Sequence, residues 1–328
     1  MLLAGLLQAF FTERLQYQRR VSANTITTYR DTFRLLLAFA QQRLGQSPSS
    51  LLVTDVDAEF VSAFLHHLET VRKNTVRTRN NRLAAIRSFF KFVALQEPAL
   101  SATCQRVLAM PAKKADRKVI TSLTRTEAEA LLAAPDRRCW LGNRDYAIIF
   151  LLLQTGLRVS ELRSIRCKDL VLRSGAHVRC FGKGRKERCT PLTRESVNIL
   201  KAWLTQRAGN KEDVAFPSRR GTMLSRDAVE RLVTKHAKLA SETCRSLRTK
   251  TVTPHVLRHT TAVTLLQAGI DRSVIALWLG HESVETTQMY LDADLSLKER
   301  ALARTAPLPG AASRYRPNDS LLAFLDSL

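Results

Sequence analysis

At 328 residues the chain is long enough for two domains of ordinary size, and its 45% hydrophobic content with few glycines and prolines is typical of a protein that buries real cores. Fifty-two Lys and Arg residues against 29 Asp and Glu residues give a formal net charge of +23. An excess of this size predicts a polyanionic partner, most often nucleic acid, and disfavours the alternative of a generally soluble basic protein. No apolar run approaches the length of a membrane span.

The six cysteines are scattered along the chain without a Cys-x-x-Cys pair. This spacing argues against a zinc ribbon and against a disulfide framework, so we expect reduced thiols in a cytoplasmic, nucleoid-associated protein. The apolar start, residues 1–11, lacks the basic leading segment of a signal peptide, and Glu13 and Arg14 follow at once. Its leucines and phenylalanines fit one face of a helix instead.

Residues 1–110 predict four helices with short connections, and hence a small helical bundle. After the apolar first helix, a second opens at Ser22 and Asn24, where short polar side chains favour a helix start. A third begins near Val56 and a fourth near Thr75.

The fourth helix carries separate apolar and basic stripes. Its apolar stripe consists of Leu83, Ile86, Phe90 and Val93. Between Val71 and Lys91 there are seven basic residues and no acidic one. Such a surface suits contacts with phosphates and groove edges. The alternative is a solvated helix face, but solvated faces usually carry charges of both signs. The candidate DNA-binding residues of this region are Arg72, Lys73, Arg77, Arg79, Asn80, Arg82, Arg87 and Lys91.

A basic linker, residues 111–120, separates this bundle from a second, mainly helical domain over residues 121–305. Thr124 and Glu127 form a capping box at its start, and an apolar helix over Tyr146–Gln154 ends at Gly156. A second helix starts just past Arg158. Residues 177–181 and 187–191 alternate like two strands of a hairpin, and helix returns from about residue 195. The predicted fold class is therefore mainly α with a small β-sheet.

Arg158 stands beside the start of a helix, where its guanidinium can grip two phosphate oxygens in a dipole that favours anions. Glu161, one turn later, can orient it by a charge-assisted hydrogen bond. The alternative is a surface Arg–Glu pair, which is common and contributes little to stability.

Lys183 lies in the glycine-flanked tip of the hairpin, where the backbone can approach a ligand closely. A lysine that donates a proton to a leaving alkoxide fits there, and the alternative is an ordinary basic turn. A phosphate loop is disfavoured because GKGRK lacks the required spacing and the following Ser or Thr. Arg185 and Lys186 are alternative proton donors, although we expect them to touch the backbone of bound DNA.

His255 and Arg258 lie one turn apart on one helix face. His255 and His259 have the i, i+4 spacing of zinc ligands. However, the segment has Val256 where a metalloprotease helix has Glu, and no obvious third ligand, so we predict no metal site.

Tyr290 follows His281 by nine residues at the end of a helix-capable stretch. A tyrosine can attack phosphorus if cationic neighbours and a base help its proton to leave, since its phenol is largely protonated at neutral pH. Two arginines, two histidines, a lysine and a tyrosine together suit the cleavage of a phosphodiester without a metal.

Four segments, TGLRVSEL, GKGRKER, HVLRHT and LGHESVETTQMY, resemble the motifs of the tyrosine recombinases, the phage-integrase superfamily. Within it they resemble most the compact Xer-type and transposon-borne integrases. The resemblance covers the second domain to about Tyr290 and extends more loosely to SANTITTYR and NNRLAAIRSFFKF, which look like core-DNA-binding helices. It implies a core-DNA-binding bundle, a catalytic domain, and site-specific DNA recombination.

The resemblance also implies a role for each matching position. Tyr290 resembles the nucleophile that forms a 3′-phosphotyrosine and frees a 5′-hydroxyl, and Lys183 the general acid for the 5′-oxygen. The other positions match groups around the phosphate. Arg158 and Arg258 resemble the pair that clamps it, and Glu161 resembles a supporting residue. His255 and His281 resemble further hydrogen-bonding groups, and His255 also resembles the acceptor of the tyrosine proton.

Because the covalent ester keeps the bond energy, the resemblance implies that neither ATP nor a metal is required. It implies double-stranded DNA with a specific recombination site as the partner, a homotetramer on two sites, exchange through a four-way (Holliday) junction, and an accessory DNA-bending or directionality protein.

The tail is longer than a minimal Xer-type protein needs, with 38 residues after Tyr290. Residues 306–328 include a short apolar helix near residues 320–328, expected to dock on a neighbouring protomer or on its own domain. The length favours the integrase of a mobile element over Xer-type chromosome or plasmid dimer resolution. The other readings are a DNA-relaxing or end-resolving enzyme, a catalytically silent DNA-binding regulator, and a zinc hydrolase.

Overall fold

The computed structural model describes residues 1–114, 120–181 and 187–280. The chain divides into two compact units, Met1–Lys118 and Val119–Leu328, each with a hydrophobic core of its own. The predicted fold class, mainly α with a small sheet, is confirmed. The predicted hairpin turn, half of the linker (residues 115–119), and the tail with its apolar helix lie outside the described residues.

The first unit is helical. Its elements are α1 (Leu3–Ala9), which continues as a π-helical segment (Phe10–Gln18), α2 (Ala23–Leu44), α3 (Ala58–Thr70), α4 (Val76–Gln96) and α5 (Ser101–Ala109). The predicted starts of α2 and α4 are confirmed, because the hydroxyls of Ser22 and Thr75 accept hydrogen bonds from backbone N–H groups of the first turn. The prediction of four helices was incomplete, since α5 is too short, at nine residues, to show a repeating apolar period.

The core of the first unit lies along α4. Its predicted apolar stripe is confirmed, with Leu83, Ile86, Phe90 and Val93 all buried. Aromatic rings complete this core: the ring of Phe89 packs edge-on against those of Phe10 and Phe33, with centroids 5.5 and 5.3 Å apart.

The second unit packs helices around a three-stranded sheet. Its elements are α6 (Arg125–Ala133), α7 (Trp140–Thr155), α8 (Val159–Ser164), β1 (Leu170–Val171), β2 (His177–Phe181), β3 (Glu187–Pro191), α9 (Arg194–Arg207), α10 (Arg226–Thr243), α11 (Pro254–Gln267) and α12 (Arg272–Leu279). The sheet is antiparallel in the order β1-β2-β3, and Cys180 of β2 is paired with Arg188 of β3. Among the described helices, none is long and apolar enough to cross a bilayer.

Several local predictions for this unit are confirmed. Thr124 and Glu127 form the capping box of α6, the two long strands have the predicted bounds, and Gly156 caps α7 in the left-handed conformation. The predicted start of α7 at Tyr146 was wrong, since the helix begins at Trp140. The two-residue strand β1 was not predicted because it is too short to show an alternating pattern.

Gly156 is fixed by close packing as well as by backbone conformation. Its φ of +63° is one that side chains rarely adopt. A Cβ atom there would lie 2.6 Å from Leu279 Cδ2 and 3.3 Å from Thr261 Cβ. The turn between α7 and α8 therefore lies directly against α11 and α12, which brings Arg158 close to the end of α12.

Replacing Gly156 with Ala should lower the free energy of unfolding by about 2–5 kcal/mol, from about 1–2 kcal/mol of left-handed strain and about 1–3 kcal/mol of overpacking. Gly175→Ala is the matched control, because Gly175 has a φ of +72° but nothing within 4 Å of its Cβ position. Urea unfolding of both variants separates the two effects. Equal losses in the two variants would contradict the packing argument.

Candidate active site

Arg158 and Arg258 donate hydrogen bonds to adjacent carbonyls at the C-terminus of α12. Arg158 Nη2 lies 2.7 Å from the carbonyl oxygen of Gly280, and Arg258 Nη2 lies 2.6 Å from that of Leu279. Arg258 Nη1 also donates to the carbonyl of Gly156, at 2.6 Å. Helix-terminal carbonyls favour cationic side chains. The two arginines of the predicted clamp, 100 positions apart in the sequence, therefore meet at one place in the fold.

The two arginines differ in exposure. Arg258 is buried, whereas the side chain of Arg158 keeps 31% of its surface exposed. Arg158 is the N-cap residue of the short helix α8, so it lies beside the first-turn N–H groups of that helix. An anion that reaches this point meets an accessible guanidinium at the start of a helix, which is a favourable environment for negative charge.

The buried carboxylate of Glu161 fixes the side chain of Arg158 by hydrogen bonding. The Glu161 side chain is 1% exposed, and Oε1 accepts a hydrogen bond from Arg158 Nη1 at 2.9 Å. Oε2 accepts from the backbone N–H of Arg158 at 2.9 Å and from Arg188 Nη2 at 2.6 Å. The predicted charge-assisted bond between Glu161 and Arg158 is present, and the alternative of a surface pair is wrong because the carboxylate is buried.

Burial opposes ionisation of Glu161, but the positive charge of Arg188 and hydrogen bonds from Arg158 and Arg188 outweigh it, so the pKa of Glu161 lies below its ordinary value. Glu161 is therefore a carboxylate at neutral pH and can accept hydrogen bonds from both arginines.

His255 lies in the first turn of α11, where Thr253 caps the helix and Pro254 opens it. The ring reaches the surface, yet desolvation by the surrounding protein lowers its pKa, and the charges of Arg226 and Arg258 lower it further. Its imidazole is therefore neutral at pH 7 and can accept a proton.

His259 lies one turn further along α11, and its imidazole is also neutral at pH 7. Burial, followed by the effects of His255 and Arg258, lowers the pKa of His259 to about 4. Within the described ranges, no three His, Cys, Asp or Glu side chains are grouped so that they could hold a metal ion. All six cysteines are free.

The remaining predicted site residues lie outside the described part of the chain. These are Lys183, Arg185, Lys186, His281 and Tyr290. Their proximity to the arginine pair stays a prediction, although His281 directly follows Gly280 in sequence.

The predicted DNA-binding residues of the first unit fall into two groups. Arg72, Lys73, Arg77 and Lys91 are exposed, and Arg82 and Arg87 are half-buried. Arg79 and Asn80 are engaged within the unit itself, and the pKa of the Arg79 guanidinium is lowered, first of all by burial.

Asn80 clamps the chain that follows α5. Its side-chain amide donates to the carbonyl of Lys113 at 2.7 Å and accepts from the backbone N–H of Lys113 at 3.1 Å, while Arg79 donates to the carbonyl of Pro111 at 3.4 Å. Both residues therefore hold residues 111–113 against α4 and do not extend its exposed basic face. The helical period could not show this, because the partners are more than 30 positions away.

Two residues near the site were not singled out from the sequence. Arg188 follows the hairpin tip in the sequence and contacts Glu161. Arg226 lies in the first turn of α10, and its positive charge lowers the pKa of His255. Alternation along β3 could have identified Arg188, because it lies on the same strand face as the buried Thr190. No local pattern marks Arg226, since its effect depends on how α10 packs beside α11.

Two family models match the chain. Residues 121–296 match the phage integrase family, and residues 9–97 match the phage integrase N-terminal SAM-like domain. The chain is 52% identical to a protein of Sinorhizobium fredii described as an integrase/recombinase, y4rC, over 99% of this chain and 98% of that protein. It is 33% identical to tyrosine recombinase XerC of Pelobacter propionicus, over 87% of this chain and 90% of that protein.

Solved structures share the fold. XerH recombinase in a post-cleavage complex with its difH substrate aligns with a TM-score of 0.67 at 23% identity, over 87% of this chain and 81% of that one. The Tn1549 transposon integrase with circular intermediate DNA aligns with a TM-score of 0.69 at 18% identity, over 92% and 99% of the two chains. The chain belongs to the phage integrase family of tyrosine recombinases, enzymes that cleave and rejoin DNA.

In the DNA-free protein, the pKa of His255 should lie below the ordinary value of 6.5, and Arg226→Gln should raise it because a neighbouring positive charge is removed. The measurement is an NMR titration of the histidine ring protons, assigned with a His255→Asn variant. The exposed Arg231 on the same helix supplies the control, Arg231→Gln, which should leave the pKa unchanged. A His255 pKa above 6.5, or one insensitive to Arg226→Gln, would contradict the assigned environment.

Proposed function

We propose that this chain is a site-specific recombinase that cuts and rejoins duplex DNA through a 3′-phosphotyrosine at Tyr290, and that it acts as the integrase of a mobile element. The observation that carries the proposal is the convergence of Arg158 and Arg258 on the Gly280 and Leu279 carbonyls. Two guanidinium groups fixed at one point form a binding site for one phosphodiester.

In this proposal the scissile phosphate binds at the exposed side of Arg158, with Arg258 buried behind it. Charged phosphate oxygens are stronger hydrogen-bond acceptors than the carbonyls that the arginines contact in the free protein. Because Glu161 already fixes Arg158, its guanidinium stabilises the charge that develops on phosphorus with little rearrangement.

Proton transfer is assigned to the other motif positions. Tyr290 attacks phosphorus, and neutral His255 accepts the phenolic proton, which its lowered pKa supports. Lys183 protonates the leaving 5′-oxygen, and His281 donates to the phosphate. The proposed steps use neither a metal nor another cofactor. Religation needs no ATP, because the phosphotyrosine ester conserves the energy of the broken phosphodiester bond.

The proposed partner is double-stranded DNA with a specific site. The net charge of +23 supports it, as do DNA complexes of structurally similar recombinases. On α4 and the turn before it, we propose that DNA is contacted by the exposed and half-buried basic residues, and not by Arg79 and Asn80. These basic residues are Arg72, Lys73, Arg77, Arg82, Arg87 and Lys91. Arg185 and Lys186 are proposed to add backbone contacts at the hairpin tip.

We further propose residues 1–110 as the core-DNA-binding domain, 111–120 as a basic linker, and 121–305 as the catalytic domain. Four protomers on two sites exchange strands through a Holliday junction, assisted by an accessory DNA-bending or directionality protein. The tail 306–328 docks on a neighbouring protomer. The 33% identity with a XerC recombinase supports one second candidate role, the resolution of chromosome or plasmid dimers.

The test is to trap covalent complexes in cells that carry the gene with its native flanking DNA. The cells are lysed in SDS, DNA attached to this protein is isolated and sequenced, and Tyr290→Phe is the control. We expect adducts from the native chain at one recurring sequence and none from the variant, because only the phenolate can form the ester. Removal of one hydroxyl leaves DNA binding unchanged, which a binding assay at low salt verifies.

Adducts that persist in Tyr290→Phe would overturn the assignment of the nucleophile. A complete absence of adducts from a native chain that retains DNA would favour a catalytically silent regulator. Adducts at the ends of a mobile element support the integrase role, whereas adducts at one chromosomal or plasmid resolution site support the second candidate role.

A further inference from the structure

Arg188 is a third arginine beside Arg158 and Arg258, and it is nearly buried, with 12% of its side chain exposed. Its guanidinium has partners in three different elements. Nη2 donates to Glu161 Oε2 at 2.6 Å, and Nη1 donates to Thr190 Oγ1 at 3.1 Å and to the carbonyl of Trp278. These contacts tie β3 to α8 on one side and to the end of α12 on the other.

Arg188 lies next to two anchors of Arg158, one through its contact with Glu161 and one through its side-chain stem. Glu161, which Arg188 contacts, is the carboxylate that receives Arg158 Nη1. The backbone of Gly280, which receives Arg158 Nη2, lies against the stem of Arg188: a Cβ on Gly280 would be 3.0 Å from both Cδ and Nε of Arg188. Arg188 therefore supports both described anchors of the Arg158 guanidinium.

We propose that Arg188 is a positioning residue for Arg158, which holds the Glu161 carboxylate and the last turn of α12 in the arrangement that aims Arg158 at the phosphate. The proposal rests on the proposed function, in which Arg158 binds the scissile phosphate. In this assignment Arg188 acts through the groups that its two terminal nitrogens contact, Glu161, Thr190 and the carbonyl of Trp278, and not through DNA.

The electrostatics agree with this geometry. Among the described residues, the charged groups that act on Glu161 are Arg158 at the start of its own helix and Arg188 on β3. Burial raises the pKa of Glu161, and the charge of Arg188 is the strongest effect that lowers it. The neighbouring titratable group on β2, the Cys180 thiol, has its pKa raised by burial to about 11 and stays neutral. Without Arg188, burial would favour the protonated form of Glu161, whose hydrogen bond to Arg158 is weaker.

The test uses the full chain and a nicked duplex that carries the site recovered by covalent trapping. Single-turnover formation of the covalent complex is measured for Arg188→Gln and Arg188→Lys. We expect Arg188→Gln to slow cleavage about 100-fold, as for a misplaced catalytic group, while DNA affinity changes by less than about threefold. Arg188→Lys should recover part of the rate, because an ammonium reaches Glu161 but cannot also contact Trp278.

The pH profile separates positioning from general destabilisation. Arg188→Gln should raise the pKa of Glu161. When the pH is lowered, the cleavage rate of this variant should therefore begin to fall at a higher pH than the rate of the native chain. Arg179→Gln is the matched control on the same sheet, since Arg179 pairs with Asp169 and Glu187 away from the site. It should leave both the rate and the profile unchanged.

A double-mutant cycle with Glu161→Gln tests the route of action. If Arg188 acts through Glu161, the two substitutions together should cost much less than the product of their separate effects. Multiplicative effects, or a native rate in a folded Arg188→Gln protein, would overturn the proposal.

A crystal structure of the DNA-free Arg188→Gln or Arg188→Lys protein gives a readout that does not depend on cleavage. The proposal expects Arg158 to lose its bond to the Gly280 carbonyl in Arg188→Gln. An Arg158 that keeps its contacts of 2.9 Å to Glu161 and 2.7 Å to Gly280 would overturn the proposal, even if the native chain forms no adduct and the proposed function fails.

Discussion

The arrangement of the site depends on one buried carboxylate. Glu161 is almost fully excluded from solvent, and a buried charge of this kind is tolerated only when it is paired and hydrogen-bonded. Arg158 and Arg188 satisfy it from two directions, and both arginines continue to the carbonyls at the end of α12. The carboxylate thus turns two flexible side chains into fixed donors, at a cost in desolvation that the hydrogen bonds offset.

The same region joins distant parts of the sequence. Gly156 permits close contact between the α7–α8 turn and Leu279, and its carbonyl receives Arg258. The C-terminus of α12, which would otherwise leave carbonyls unsatisfied, is capped by three arginines. The proposed phosphate site therefore uses groups that also stabilise the fold, and in this proposal the positive charges are in place before DNA binds.

Features that depend on local sequence were predictable. The caps at Ser22, Thr75 and Thr124, the two long strands and the apolar stripe of α4 each follow from patterns within a few residues. Residue chemistry and motif resemblance predicted Arg158, Glu161, His255 and Arg258 as site residues, and their catalytic roles stay predictions. Strand alternation could have marked Arg188 as a half-buried residue, but the roles of Asn80 and Arg188 were not predictable, because the partners that define these roles, Lys113 for Asn80 and Glu161 and Trp278 for Arg188, lie 27 or more positions away.

The most direct test of the account is the pKa of the Glu161 carboxyl in the DNA-free protein. It can be followed by NMR of selectively ¹³C-labelled glutamate side chains, with Glu161→Gln to assign the signal. The account predicts a pKa below the ordinary value of 4.5, because two arginines outweigh burial. A pKa above 4.5 would contradict it, since burial would then dominate and the carboxylate that is said to fix Arg158 and Arg188 would not be held in its charged form.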